Sequence, residues 1–195
     1  DGLSDISASA GSGVAASTSG DLIVNYRATN VSGTAHLGFA RALTANNISL
    51  LQQGGGDLVL MDKVSGTASL AGSDLANLQA TNLLTIGGSG SYASPSANSP
   101  VMTLANALTS ANVASNLKLD FNRIALNDNL TLGSGKTLTL VSDYGMSQAS
   151  GKALNVSNLL LSGAGAVTLG GANTVGTLAS NATGAISMGL SAGTL

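Results

Sequence analysis

Nine carboxylates, a single histidine and one glycine-rich lysine loop are the residues of this chain that could do chemistry. All nine carboxylates are aspartates, and two pairs flank short apolar runs: Asp57 with Asp62, and Asp120 with Asp128. Acid–base cleavage of a polysaccharide needs two carboxylates within reach of the scissile bond, one of them with a shifted pKa. Placement at strand ends and corners explains the same four residues as solvated scaffold. No Glu, no Trp and no aromatic cluster supplies a sugar-stacking cleft. An enzyme is therefore not expected, and no catalytic, cofactor-binding or metal-binding residue is assigned.

The remaining candidates fail on pattern. His36 lies in Thr34-Ala35-His36-Leu37, alternating with apolar neighbours, and no nucleophile elbow accompanies it; a solvated strand position is expected. Leu132-Gly-Ser-Gly-Lys-Thr137 resembles a phosphate-binding loop, but that motif needs glycine where Leu130 stands. A strand rather than a helix is expected after Thr137, which leaves no helix N-terminus for a phosphate. Gly54-Gly55-Gly56-Asp57 is one untandemed near miss to calcium-binding nonapeptides, leaving room for an isolated calcium site at most. The sequons at Asn30, Asn47, Asn129, Asn155 and Asn181 occur at about the frequency that so many Asn, Ser and Thr give by chance.

The elements around these residues follow from composition. Across 195 residues only 8% are charged and 3% aromatic, with 26 glycines and no cysteine. Ordinary soluble domains carry about a quarter charged residues. Small polar and β-branched residues disfavour helices and suit stacked strands. A mean hydropathy of +0.33 argues against disorder, because a core can form. The net charge of −2 includes no basic patch, so nucleic acid is not an expected partner. No apolar run approaches a membrane-spanning length, so membrane insertion of this segment is not expected either. Asp1 opens no charged-then-apolar leader, and the chain reads as a mature or excised segment.

Short alternating strands recur from Leu130 onward: 130–132, 137–141, 158–161, 166–169, 175–178 and 185–188. The front half reads likewise at 21–26, 48–51, 57–61, 67–70 and 83–86. Each is too short to bury much alone, which predicts a solenoid whose units need neighbours above and below. Turn chemistry separates this from an antiparallel meander. Tight hairpins favour Asn-Gly or Asp-Gly, and Asp1-Gly2 is the only such pair. Asn instead precedes branched apolar residues, at Asn30, Asn47, Asn82, Asn112, Asn129, Asn155 and Asn158. Such residues suit corners leading into strands, with the amide free to bond to the next coil. One interruption is expected at 92–116, where Pro95 and Pro100 fall. Ser99 as N-cap and an apolar face at 101, 104, 105 and 108 predict a short helix or loop excursion over 100–111.

The run Leu126-Asn-Asp-Asn-Leu-Thr-Leu-Gly-Ser-Gly-Lys-Thr-Leu-Thr-Leu-Val141, with Gly145-Met-Ser-Gln148, Ala166-Val-Thr-Leu169, Val175-Gly-Thr-Leu178 and Gly184-Ala-Ile-Ser187, resembles the filamentous haemagglutinin-like large exoproteins. Leu104-Ala-Asn-Ala-Leu-Thr-Ser-Ala-Asn-Val113 is similar to a phrase common in them. The resemblance implies an all-β, right-handed parallel β-helix, exported by two-partner secretion or in autotransporter style, and displayed on the bacterial outer surface. Residues 1–195 then form a single β-helix segment of a longer fibre. The implied function is a structural and adhesive rod that attaches to a host-cell, carbohydrate or bacterial-surface receptor. The rival expectation is a filament or matrix subunit that self-associates through open coil ends, and a polysaccharide-cleaving β-helix ranks third.

Overall fold

The computed structural model describes residues 20–26, 35–52, 56–64, 67–88 and 100–191. In chain order the strands are β1 (Asp21–Tyr26), β2 (Ala35–His36), β3 (Leu43–Gln52), β4 (Leu58–Leu60) and β5 (Ala68–Leu70), then, after a helix α1 (Gly72–Ala76), β6 (Leu78–Gly87). There follow β7 (Val101–Leu104), β8 (Asn116–Asp120), β9 (Arg123–Leu126), β10 (Leu130–Thr131), β11 (Thr137–Val141), β12 (Gly145–Gln148), β13 (Leu154–Ser162), β14 (Val167–Ser180) and β15 (Ile186–Leu190).

All fifteen strands belong to one sheet, and every strand pairing among the described residues is parallel. The hairpin alternative is thereby removed. A first ladder runs β1-β3-β6-β8-β11-β13 and ends on the C-terminal half of β14. A second runs β2-β5-β4-β7-β9-β12 and continues through the N-terminal half of β14 to β15. From β8 onward the chain alternates between the two, β8 then β9, β11 then β12, and β14 spans both; earlier, β4 and β5 both join the second ladder, with β5 seated between β2 and β4. A third, narrower strip pairs Leu43 with Leu78, Leu108 with Leu130, and Leu130 with Leu154.

Alternation within each strand sends every second side chain inward, and parallel register stacks like on like. Leu22, Ile48, Leu84, Leu117, Leu138, Leu159 and Leu178 form one inner column of the first ladder. Leu58, Met102, Ile124, Met146, Val167 and Ile186 form the matching column of the second. Between the ends these side chains are almost wholly buried. Leu138, fully buried between Leu117 and Leu159, tests the column directly. Leu138→Ala is expected to lower stability by about 3 kcal/mol, from lost apolar transfer plus the cavity left behind. Chemical denaturation should show it as a lower midpoint at an unchanged slope.

The expected helix over 100–111 is absent. Residues 101–104 are β7, paired with β4 on one side and β9 on the other. Met102 and Leu104 point into the core while Val101 and Thr103 lie between them at period two, and Leu108 continues inward in the third strip. Two ready ladder partners outweigh a weak N-cap signal in a Thr-containing segment. What remains of the excursion is the turn at 109–112, closed by the Thr109 N–H donating to Asn112 Oδ1 at 3.0 Å. Residues 92–99, including Pro95, lie outside the described residues, as do Asn30 and Gly54-Gly55. The helix that does form, α1, was not anticipated. It buries Leu75 and presents the Asp74 carboxylate to the Phe39 N–H at 3.0 Å.

Most of the corner asparagines behave as the spacing predicts. Asn47 donates to Asp21 Oδ1 at 2.7 Å, Asn82 to Asn47 Oδ1 at 2.9 Å, and Asn116 to the Asn82 carbonyl at 2.9 Å. Further along, the Ala153 N–H donates to Asn129 Oδ1 at 2.8 Å and Asn158 reaches the Gly135 carbonyl at 3.4 Å. These bonds join one level of the stack to the next where the strands bend.

Candidate functional site

The aspartates singled out by sequence are parts of the scaffold. Asp57 accepts the Val101 N–H at 2.8 Å, and Asp62 accepts the Lys63 N–H at 2.7 Å. Asp120, almost fully buried, pairs with Lys118 at 2.9 Å, and Asp128 pairs with Lys152 at 2.9 Å. Asp21, Asp74 and Asp143 likewise accept from Asn47 and from the backbone of Phe39 and Ala164. Apart from Asp120, whose partner Lys118 lies on its own strand, these aspartates tie one strand to another or hold a local turn. Among the described residues no three His, Cys, Asp or Glu side chains gather where a metal ion could sit.

The Lys152–Asp128 contact has a titration signature. The Lys152 ammonium, and then the Asn129 N–H, hold the Asp128 carboxyl below the ordinary carboxylate range. A depressed folded-state pKa means that the pair stabilises the fold above the unfolded-state pKa and that this contribution is lost as pH falls through the folded one. A carboxyl-carbon NMR titration should place the Asp128 midpoint below the ordinary aspartate value, and Lys152→Met should raise it toward that value.

His36 stands exposed on β2 opposite Ser69, a solvated strand position. The loop from 132 to 137 is a turn between β10 and β11, closed by the Lys136 N–H on the Gly133 carbonyl at 3.2 Å. A strand follows it, and the Gly135 N–H is already given to Ser157 Oγ at 2.8 Å.

A cleft forms elsewhere, on the outer face of the second ladder. It has a volume of about 460 Å³ and lies over β9, β12 and the start of β14. Arg123 and Tyr144 line it, and Ala125, Ser147 and Thr168 provide its floor. Those three floor residues are register partners on adjacent strands, the positions that alternate with buried Ile124, Met146 and Val167. Arg123 projects outward for the same reason, as the exposed first residue of a strand whose second and fourth residues are buried. Tyr144 precedes β12 and is fixed by its N–H donating to the Asn122 carbonyl at 2.9 Å. Beneath it, the buried Ser142 hydroxyl donates to that same carbonyl at 2.7 Å.

Two contrasts mark this cleft. Tyr26, Phe39 and Phe121 are buried, whereas Tyr144 is 47% exposed. Lys63, Lys118 and Lys152 face carboxylates, while among the described residues Arg123, like Arg41 and Lys136, forms no ion pair, and of these three cations Arg123 is the one that lines the cleft. Sequence reasoning missed both residues. They stand 21 positions apart, and only the pairing of Arg123 with Gly145 brings them to one place.

No protein-family model, no curated protein and no solved structure matches the chain.

Proposed function

We propose that the chain is a rod segment of a filamentous haemagglutinin-like adhesin, a right-handed parallel β-helix of stacked three-sided coils on a bacterial surface. The observation that carries this reading is the continuity of the inner columns. A leucine or isoleucine recurs in one register position from Leu22 to Leu178, and from β8 onward the chain alternates between ladders, as the coils of such a rod require. The middle coils take 21 or 22 residues, as in Leu117 to Leu138 to Leu159 and Met102 to Ile124 to Met146, and the last take 19, as in Leu159 to Leu178 and Val167 to Ile186. Right-handedness accords with the roughly 98% preference of parallel crossovers. Seven levels of the first ladder at about 4.8 Å each give a rod of roughly 35 Å. Aspartates engaged in the scaffold favour a spacer and adhesive surface over a hydrolase.

Small-angle scattering with cell-attachment assays tests the reading. An elongated monomer that, coated on a surface, captures host or bacterial cells supports it. A compact particle, or a coated surface no stickier than an albumin control, overturns it.

One observation favours a second reading, a self-assembling filament. At the C-terminal end of the stack Ile186 is 42% and Leu190 37% exposed, and Leu178 and Met188 are only partly buried. Apolar edge strands of this kind pair readily where no further part of the chain covers them, and head-to-tail pairing is open-ended. Sedimentation across a concentration series separates the two: growth into long species that Ile186→Lys abolishes belongs to the filament, a constant monomer to the rod.

A further inference from the structure

We propose that the cleft over β9, β12 and β14 binds an acidic sugar residue of a surface polysaccharide, with Arg123 holding its carboxylate or sulfate and Tyr144 its ring face. The inference rests on the adhesive reading for its occupant, a cell-surface glycan, and on the cleft alone for its chemistry.

Each part of the cleft answers to a part of such a ligand. A guanidinium that no carboxylate of the described residues engages presents a planar fork of N–H donors, which matches a carboxylate or sulfate oxygen pair. An aromatic ring left half in water beside it offers an apolar face with a polar rim, the surface on which the C–H face of a pyranose lies. The floor residues Ala125, Ser147 and Thr168 are short, so a flat ring approaches the sheet without obstruction, and two of them carry hydroxyls for the sugar's own. At about 460 Å³ the cleft falls within the ~300–1,000 Å³ range of small-molecule sites and takes a short oligosaccharide.

The lining also selects against other occupants. It contains no carboxylate, so neither a cation nor acid–base cleavage of the bound sugar is served. It contains one cation and no basic patch surrounds it, which is too little positive charge for a nucleic acid backbone. Asp143, next to Tyr144, does not line the cleft, and its carboxylate accepts the Ala164 N–H at 3.3 Å. A site with one ionic contact and an open mouth binds weakly per copy, and a fibre gains by presenting many such contacts together.

The test uses the whole chain and three oligosaccharide probes of equal length: a polyuronate, a sulfated glycan and a neutral glycan. Binding is followed by NMR shift titration and calorimetry. One acidic probe should bind with a Kd of about 1 mM or tighter and the neutral probe at least about tenfold more weakly. Which acidic probe binds tells carboxylate from sulfate. Arg123→Gln and Tyr144→Ala should each weaken that binding about tenfold with an unchanged Tm, since both side chains are exposed. Arg41→Gln, an exposed cation outside the cleft, should leave binding unchanged. Equal binding of the neutral probe, an equal loss in Arg41→Gln, or no acidic binding at about 10 mM overturns the proposal. The cell assay keeps the two readings apart. Acidic binding without cell attachment removes the adhesive reading and leaves the cleft. Attachment unaffected by Arg123→Gln, with no acidic probe bound, removes the cleft and leaves the adhesive reading.

Discussion

Asn173→Leu is expected to destabilise the fold by about 4 kcal/mol, because a buried amide at a bend would be replaced by a side chain of similar size that bonds to nothing. Asn173 is completely buried where β14 passes from the second ladder toward the first. Its Oδ1 accepts the Leu154 N–H at 2.7 Å and Gln148 Nε2 at 2.8 Å. Its Nδ2 faces the Leu169 and Gly189 carbonyls, each at 2.9 Å, with Gly171 O and Gln148 Oε1 both at 3.2 Å. One side chain therefore satisfies backbone from three successive levels at a place where the ladder hydrogen bonds break off. Leucine would strand the Leu154 N–H and at least one carbonyl, each at about 1–3 kcal/mol. In a domain of this size the melting temperature should fall by roughly 8–16 °C. Gln148→Ala, which removes a half-exposed partner, should cost less, and the double variant should cost less than the sum of the two. A loss below about 1 kcal/mol in Asn173→Leu would mean that water fills the bend and the amide is dispensable.

Gly163→Ala should be nearly as damaging, for a steric reason. Gly163 has φ +101°, and a Cβ there would lie 2.2 Å from the Ser142 carbonyl oxygen and 2.6 Å from its carbon. That carbonyl has no room to yield. It accepts the Gly165 N–H at 3.1 Å, and the Ser142 hydroxyl is tied to Asn122 O and Gly145 O at 2.7 and 2.9 Å. The unfavourable φ contributes about 1–2 kcal/mol and the overlap about 1–3 kcal/mol, so a loss of about 3 kcal/mol is expected. Gly135→Ala is the control. Its φ of +74° is equally unsuited to a side chain, but nothing lies within 4 Å of the added carbon. Only the conformational part, about 1 kcal/mol, should appear. Thermal melts of the two variants should differ by several degrees, and equal melts would show that the close approach between levels is not tight.

Much of this architecture is legible in the residues themselves. The strand at 137–141 falls where alternation places it, as does the one at 21–26, because period-two burial is a property of neighbouring residues. The lack of hairpin dipeptides foretells parallel pairing, and Asn before a branched residue foretells amides that bond between levels, as Asn47 and Asn82 do. Of the aspartates expected to be solvated at strand ends, Asp57 and Asp62 hold backbone N–H groups, while Asp120 is almost fully buried beside Lys118. What the local pattern leaves open is which strand lies beside which. Residues 101–104 carry a marginal helix signal and become β7 only because β4 and β9 offer a complete set of backbone partners. Asn173 looks like any turn asparagine in a glycine-rich stretch until the bend brings six polar atoms onto its one buried amide. Arg123 and Tyr144 line one cleft because β9 and β12 pair in parallel register, Arg123 opposite Gly145. Alternation along a strand is short-range and is written in the sequence itself. Register between strands is decided by the packing of the whole stack, and the bends and the cleft exist only once that packing is complete.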